Sequence, residues 1–333
     1  MRIVSILLIL LVLVLFTCFA IANHLYKKSA AYKNEQIDIK DFLENRDKIG
    51  KIACTGSTYS KFAYGSMESL RISHRDFTLQ AESLEMDYRI LIENIGKISK
   101  DGIVFITVAS CCFLYDGNKD NPLYSLILTN RGNPYSSIKG AFNLTLPVFV
   151  HPRKAGKLIR KADEYKNIYD SVPVVISEDH SKDTMKRYAD GWIKMFSLKD
   201  LKTPKLSDAN KNEIEKNCKH LEDMIELCLK NDLHPVIVVP PFSDRMNQYF
   251  SLDFTRTLVD VNVTRVIGNR NIPFLNYQWD DAFQKEYSLF VDGGFRLNKM
   301  GSEVFIRRLL RDLNSFGLCI TNKDYFEGIL DVQ

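Results

Sequence analysis

The sequence predicts a doubly wound α/β domain, a parallel sheet with helices on both faces, preceded by one N-terminal transmembrane or signal helix. Three observations predict it. Short runs of β-branched and apolar residues, such as Ile103–Ala109 (IVFITVA) and Leu233–Val239 (LHPVIVV), read as strands buried on both faces. These runs alternate with segments of helical period, which implies right-handed parallel crossovers. Ile3–Ala22 is twenty residues long and carries no charge.

At ~1.5 Å per residue, that first run makes a helix about 30 Å long, the thickness of a hydrocarbon core. Arg2 supplies a basic start, and Ala20-Ile21-Ala22 is a small-x-small site of the kind a signal peptidase cuts. The run exceeds the ~7–15 residues of a signal core, which favours an uncleaved anchor. Lys27, Lys28 and Lys33 follow it, a charge bias for a cytoplasmic domain; the signal-like layout favours an extracytoplasmic one. No other stretch of the sequence is apolar for long enough to span a bilayer. Residues 1–23 are read as anchor or signal, 24–47 as a juxtamembrane stalk and 48–333 as one domain.

Within the domain, Lys51–Thr55 (KIACT) is the first strand, and Gly56-Ser57-Thr58 its tight exit turn. Thr78–Lys97 has a helical period, broken by Gly102 before the strand Ile103–Ala109. Residues 118–205 are irregular, rich in Tyr, Asn, Ser and Lys, and read as an insertion of loops and short helices. Ser207–Asn231 is the next helix, with Asp208 or Asn210 as cap and Ile214, Cys218, Leu221, Ile225 and Leu229 along one face. Leu233–Val239 follows, stopped by Pro240-Pro241. Then come a helix at Leu258–Ile267, a strand at Ile272–Tyr277, and a closing helix at Lys299–Leu313 with Asn298 as its N-cap.

The formal net charge is +4 with both signs mixed, and no basic stripe interleaves with aromatics, so no nucleic-acid partner is expected. The seven cysteines form no pair of Cys-x-x-Cys units and most are read as small core residues, with no metal and no cofactor expected.

In a doubly wound sheet the ligand sits at the carboxyl ends of the strands. Gly56–Ser60, Ser110–Asp116 and Pro240–Asp244 leave those ends, and Asp292–Asn298 precedes the last helix close to them. A hydroxyl on a strand-to-helix turn suits a nucleophile, because backbone N–H groups there face a developing oxyanion. The same hydroxyls equally cap a helix. A nucleophile also needs a base. Of His24, His74, His151, His180, His220 and His234, only His74, His151 and His180 fall in segments expected to approach, and no spacing singles one out.

The segments KIACTGSTYSKFAYG (51–65), DFTLQAESLEMDYRIL (76–91), IVFITVASCCFLYD (103–116), HPVIVVPPF (234–242) and FVDGGFRLNKMGSEVFIRRL (290–309) occur in a telling order. Over about residues 49–315 the chain resembles the SGNH (GDSL-like) hydrolase superfamily. It is most similar to the membrane-anchored members of the kind that serve D-alanyl-lipoteichoic-acid transfer and polysaccharide O-acetylation or capsule systems. The resemblance puts Thr58 where the family has its nucleophilic Ser, and Thr78 where a Gly N–H completes the oxyanion hole. The family's third-block Asn has no counterpart near Ser110. Arg296 stands where the family has its general-base His, and Asp292 lies four residues before it rather than three.

Arg cannot deprotonate a hydroxyl at neutral pH, because its pKa is above ~12, but it can grip a carboxylate or phosphate. The resemblance thus implies Thr58 and Asp292 as catalytic candidates, and Gly56, Ser57, Ser60, Ser110 and Arg296 as substrate- or anion-binding candidates. It implies an extracytoplasmic, membrane-held domain that meets a glycan or cell-envelope polymer and a membrane acyltransferase. A catalytically degenerate domain is the leading expectation. An active esterase or O-acyltransferase, and a non-catalytic scaffold, are the alternatives.

Overall fold

Five strands make one sheet in the order β2-β1-β3-β4-β5, and every neighbouring pair is parallel. The computed structural model describes residues 2–29, 47–117, 145–150 and 178–318, together with residues 32, 39, 42, 44, 45, 124, 127, 128 and 142. The chain forms two compact units: Met1–Glu44 with Asn121–Asn167, and Asn45–Asp120 with Ile168–Gln333.

In the first unit, α1 (Arg2–Lys28) is the one helix among the described residues long and apolar enough to cross a membrane. It is exposed all round from Val4 to Cys18. Tyr26, Ile39, Phe42, Tyr124, Ile127 and Leu128 of this unit are buried.

The second unit holds the sheet. In chain order it contains β1 (Gly50–Thr55), α2 (Thr58–Ala63), β2 (His74–Asp76), α3 (Leu84–Asn94) and β3 (Ile98–Thr107). In the first unit α4 is the short helix Pro147–Val150. The second unit then resumes with α5 (Glu178–Met195), α6 (Asp208–Lys230), β4 (His234–Val239), α7 (Val261–Ile267), β5 (Phe274–Asn276) and α8 (Lys299–Asn314).

The four strands expected from the sequence lie in this one sheet, and the apolar runs explain why. Ile52, Cys54, Ile103, Phe105, Val236 and Val238 face one side, where they pack with Phe305, Ile306, Leu309 and Leu313 of α8. Their neighbours Ala53, Val104, Ile106, Ile237 and Val239 face the other side and are also buried. Neither face meets water, so the strand sequences do not alternate. On that second side α3 packs on α6, and Asn217 donates to the carbonyls of Phe113 and Tyr115.

The structure differs from the sequence reading in several places. β2 was not expected, because His-Arg-Asp carries no apolar pattern; it is a three-residue edge strand paired only with β1. The helix expected from Thr78 starts at Leu84, with the Ser83 hydroxyl accepting from the Met86 N–H. Leu79 fits the helical period yet is buried from a loop, its N–H donated to Glu82 Oε1. Ser207, rather than Asp208 or Asn210, caps α6. Within residues 118–205, read as loops and short helices, α5 is eighteen residues long. Asn298 does cap α8, its Oδ1 accepting from the Gly301 N–H at 2.9 Å.

Candidate functional site

β1 ends at Thr55, and the chain turns through Gly56 with φ +110°. A Cβ at Gly56 would collide with Ser60 Oγ and Thr107, so only Gly suits both the conformation and the space. The Gly56 N–H donates to Asp87 Oδ1 at 2.7 Å, which ties the turn to α3. Ser57 then stands at the N-cap of α2 without a capping hydrogen bond from its side chain. Thr58, the first residue of α2, accepts at Oγ1 from the Ala81 N–H at 3.1 Å. Ala81 adopts φ +53°, the left-handed conformation that aims this N–H.

The resemblance put the second N–H donor at Thr78, whose polar groups are turned to Asp76 in the structure. The Thr78 N–H and hydroxyl both go to Asp76 Oδ1, at 2.9 and 2.6 Å. Ala81 is the residue whose N–H meets the Thr58 hydroxyl.

On the far side, the loop before α8 is built around Asp292. Its carboxylate is buried. Oδ1 accepts from the N–H groups of Gly294 and Phe295 at 2.9 and 3.2 Å, and Oδ2 accepts from Arg296 Nε at 2.8 Å. Ser181 and Ser243 hydroxyls donate to the Asp292 and Gly293 carbonyls, pinning the loop from outside. Arg296 is thereby held with its guanidinium 5.5 Å from the ring centres of Phe62 and Tyr188.

Between the two loops lies a cavity of about 190 Å³. Tyr59, Tyr188, Trp192 and Phe295 form its aromatic wall, with Phe295 4.9 Å from Tyr188 edge-on and 5.5 Å from Trp192. Ser57, Thr58, Glu82 and Arg296 are among its polar lining residues. Cys111 and Cys112 also line it; burial pushes both thiols far above their ordinary range, Cys112 to about 12, so both stay neutral and weakly nucleophilic.

Of the seven site residues read from the sequence, Ser57, Thr58 and Arg296 line this cavity. Gly56, Ser60, Ser110 and Asp292 stand behind it as supports. Ser60 is fully buried, faces Gly56, and has no hydrogen-bond partner for its hydroxyl among the described residues. Ser110 donates to Gln278 Oε1 at 2.6 Å. Asp292 holds Arg296 and its own loop, rather than a histidine.

No histidine lines the cavity among the described residues. His74 begins β2 at the amino end of the sheet and donates from Nδ1 to the Ile72 carbonyl; burial, the largest influence, pulls its pKa below the ordinary value. His180 sits exposed in the first turn of α5, His220 lies on α6 beside Tyr88, and His234 opens β4. His24 is on α1, and His151 lies outside the described residues. Among the described residues no cluster of His, Cys, Asp and Glu is arranged to hold a metal.

The sequence reading missed Tyr188 and Trp192, because they come from α5 inside the segment read as irregular. Their i,i+4 spacing was the available signal. No family model matches the chain, and no curated protein matches it.

Proposed function

We propose that the second unit is a catalytically degenerate SGNH-like domain, doubly wound, that binds an acyl- or glycan-bearing ligand without hydrolysing it. α1 holds it at the outer face of a membrane, where it serves a system that modifies a cell-surface polysaccharide or cell-wall polymer, beside a membrane acyltransferase. The strand order supports the fold reading, because it reverses between β1 and β3 and opens a crevice at their carboxyl ends.

The observation that carries the functional reading is that Arg296, paired with Asp292, lines the same cavity as Thr58. A guanidinium stays protonated at any physiological pH, so nothing at that position takes the hydroxyl proton. An aromatic wall next to a fixed cation suits the apolar face and anionic end of a ligand better than it suits proton transfer. The full chain should hydrolyse an aryl acetate no faster than its Thr58→Ala variant. Turnover abolished by Thr58→Ala overturns the reading.

One observation favours a second reading, an active esterase or O-acyltransferase: the Ala81 N–H beside Thr58 Oγ1 is a donor of the kind that stabilises an oxyanion. Restoring the pattern by Thr58→Ser with Arg296→His then separates the two. A gain of hydrolysis means a cleft that kept its donors and lost its reacting groups. An alkaline phosphatase fusion at the C-terminus tests the orientation; phosphatase activity supports an outer location.

A further inference from the structure

We propose that Phe142 with Thr145–Val148 is a second membrane contact, lying in the interface of the same bilayer that α1 crosses and meeting its lipids directly. The inference rests on reading α1 as a retained membrane span.

The helix itself sets the depth. From Val4 to Cys18 α1 is exposed on every side. Those fifteen residues cover about 22 Å, less than the ~30 Å of a hydrocarbon core. The apolar run continues to Ala22, but exposure changes before it ends. Phe19, Ala22 and Asn23 are partly covered and Tyr26 is fully buried, a stripe at helical spacing along one face. At that level α1 packs against α4, and Asn23 Nδ2 donates to the Thr145 carbonyl at 3.0 Å. Asn23 is the first amide-bearing residue after the apolar run, so it marks the boundary between acyl chains and headgroups.

The segment bonded to Asn23 therefore sits at that boundary. The Leu146 N–H donates to the Phe142 carbonyl, and Pro147 begins α4. Phe142 is 50% exposed, and Leu146 and Val148 are partly exposed. In sequence, Phe142–Val150 (FNLTLPVFV) carries no charge. Aromatic and aliphatic side chains at headgroup depth bury their apolar surface in the acyl boundary. Lys27 and Lys28 end α1 about one helical turn beyond Asn23, charges that suit anionic headgroups. Continuity with a membrane span is what selects lipid, rather than another protein, as the occupant.

The test uses the full chain in vesicles of phosphatidylcholine and phosphatidylglycerol, with brominated acyl chains as quenchers. The parent's Trp192 and Trp279 supply the baseline. Phe142→Trp, and separately Leu146→Trp, should add blue-shifted emission that shallow bromines remove and aqueous iodide leaves intact. Added emission quenched by iodide and spared by bromine overturns the proposal. Emission spared by both also overturns it, because protein then covers the segment. Leu11→Trp, in the middle of α1, keeps the two readings apart. If its emission escapes deep bromines, the span itself fails. If it is quenched while the probes at 142 and 146 are not, only the interfacial contact fails.

Discussion

Asp292→Ala should destabilise the second unit by about 3–4 kcal/mol, and Arg296→Ala by only about 1–2 kcal/mol. The difference follows from what each deletion strands. Removing the carboxylate leaves the Gly294, Phe295 and Arg296 N–H groups and Arg296 Nε without the acceptor they now share. A charge-assisted hydrogen bond contributes ~1.5–3 kcal/mol, and each buried polar group left unpaired costs ~1–3 kcal/mol. Arg296 is 22% exposed and can turn its charge to water, so the ion-pair share is discounted and the sum stays near the lower figures. Removing the guanidinium instead leaves Asp292 still accepting three backbone N–H bonds, from residues 294, 295 and 296. Urea unfolding of the full chain in detergent micelles, followed by tryptophan fluorescence, reads the difference, since Trp192 lines the same cavity. Arg296→Ala costing as much as Asp292→Ala would refute the argument, because the carboxylate would then serve the guanidinium rather than the loop.

Gly56→Ala should cost at least about 2 kcal/mol, from the left-handed φ and the collision with Ser60 and Thr107, and the same unfolding measurement checks it. In the double variant Gly56→Ala with Ser60→Gly part of that cost should return, because one colliding group is gone. His74 is held neutral by burial, so its folded pKa lies below its unfolded one. Its contribution to stability is present above the ordinary histidine value near ~6.5 and is lost as pH falls from there toward the folded pKa. His74→Gln should flatten the urea midpoint across that window. Cys112, half-buried with its thiol pushed to about 12, should react only slowly with iodoacetamide at pH 8 in the folded chain; rapid labelling seen by mass spectrometry would contradict the raised pKa.

The legible elements share a physical reason. β1, β3 and β4 are buried on both faces, so their residues are apolar without alternation and stand out in any window. β2 does not stand out, because an edge strand of three residues is held by pairing to β1 rather than by its own composition. The same distinction runs through the cavity. Gly56, Ser57 and Thr58 are readable because a strand-to-helix turn demands small residues locally; the segment Asp292–Asn298 is readable because it precedes a capped helix, and Arg296 within it is singled out only by the resemblance. Ala81 is not readable: an Ala in a loop carries no sign that its N–H will meet a hydroxyl twenty-three residues earlier.

The sequence by itself determined the α/β class, the membrane-length N-terminal helix and the places where strands give way to turns, because each rests on composition and period within one segment. Only the tertiary structure decided that Asp292 spends its carboxylate on Arg296 and on its own loop, that Tyr188 and Trp192 of α5 wall the cavity, and that Asn23 bonds Thr145. Those outcomes depend on which distant groups reach a buried polar atom first, and that is a property of packing in three dimensions that no local pattern encodes.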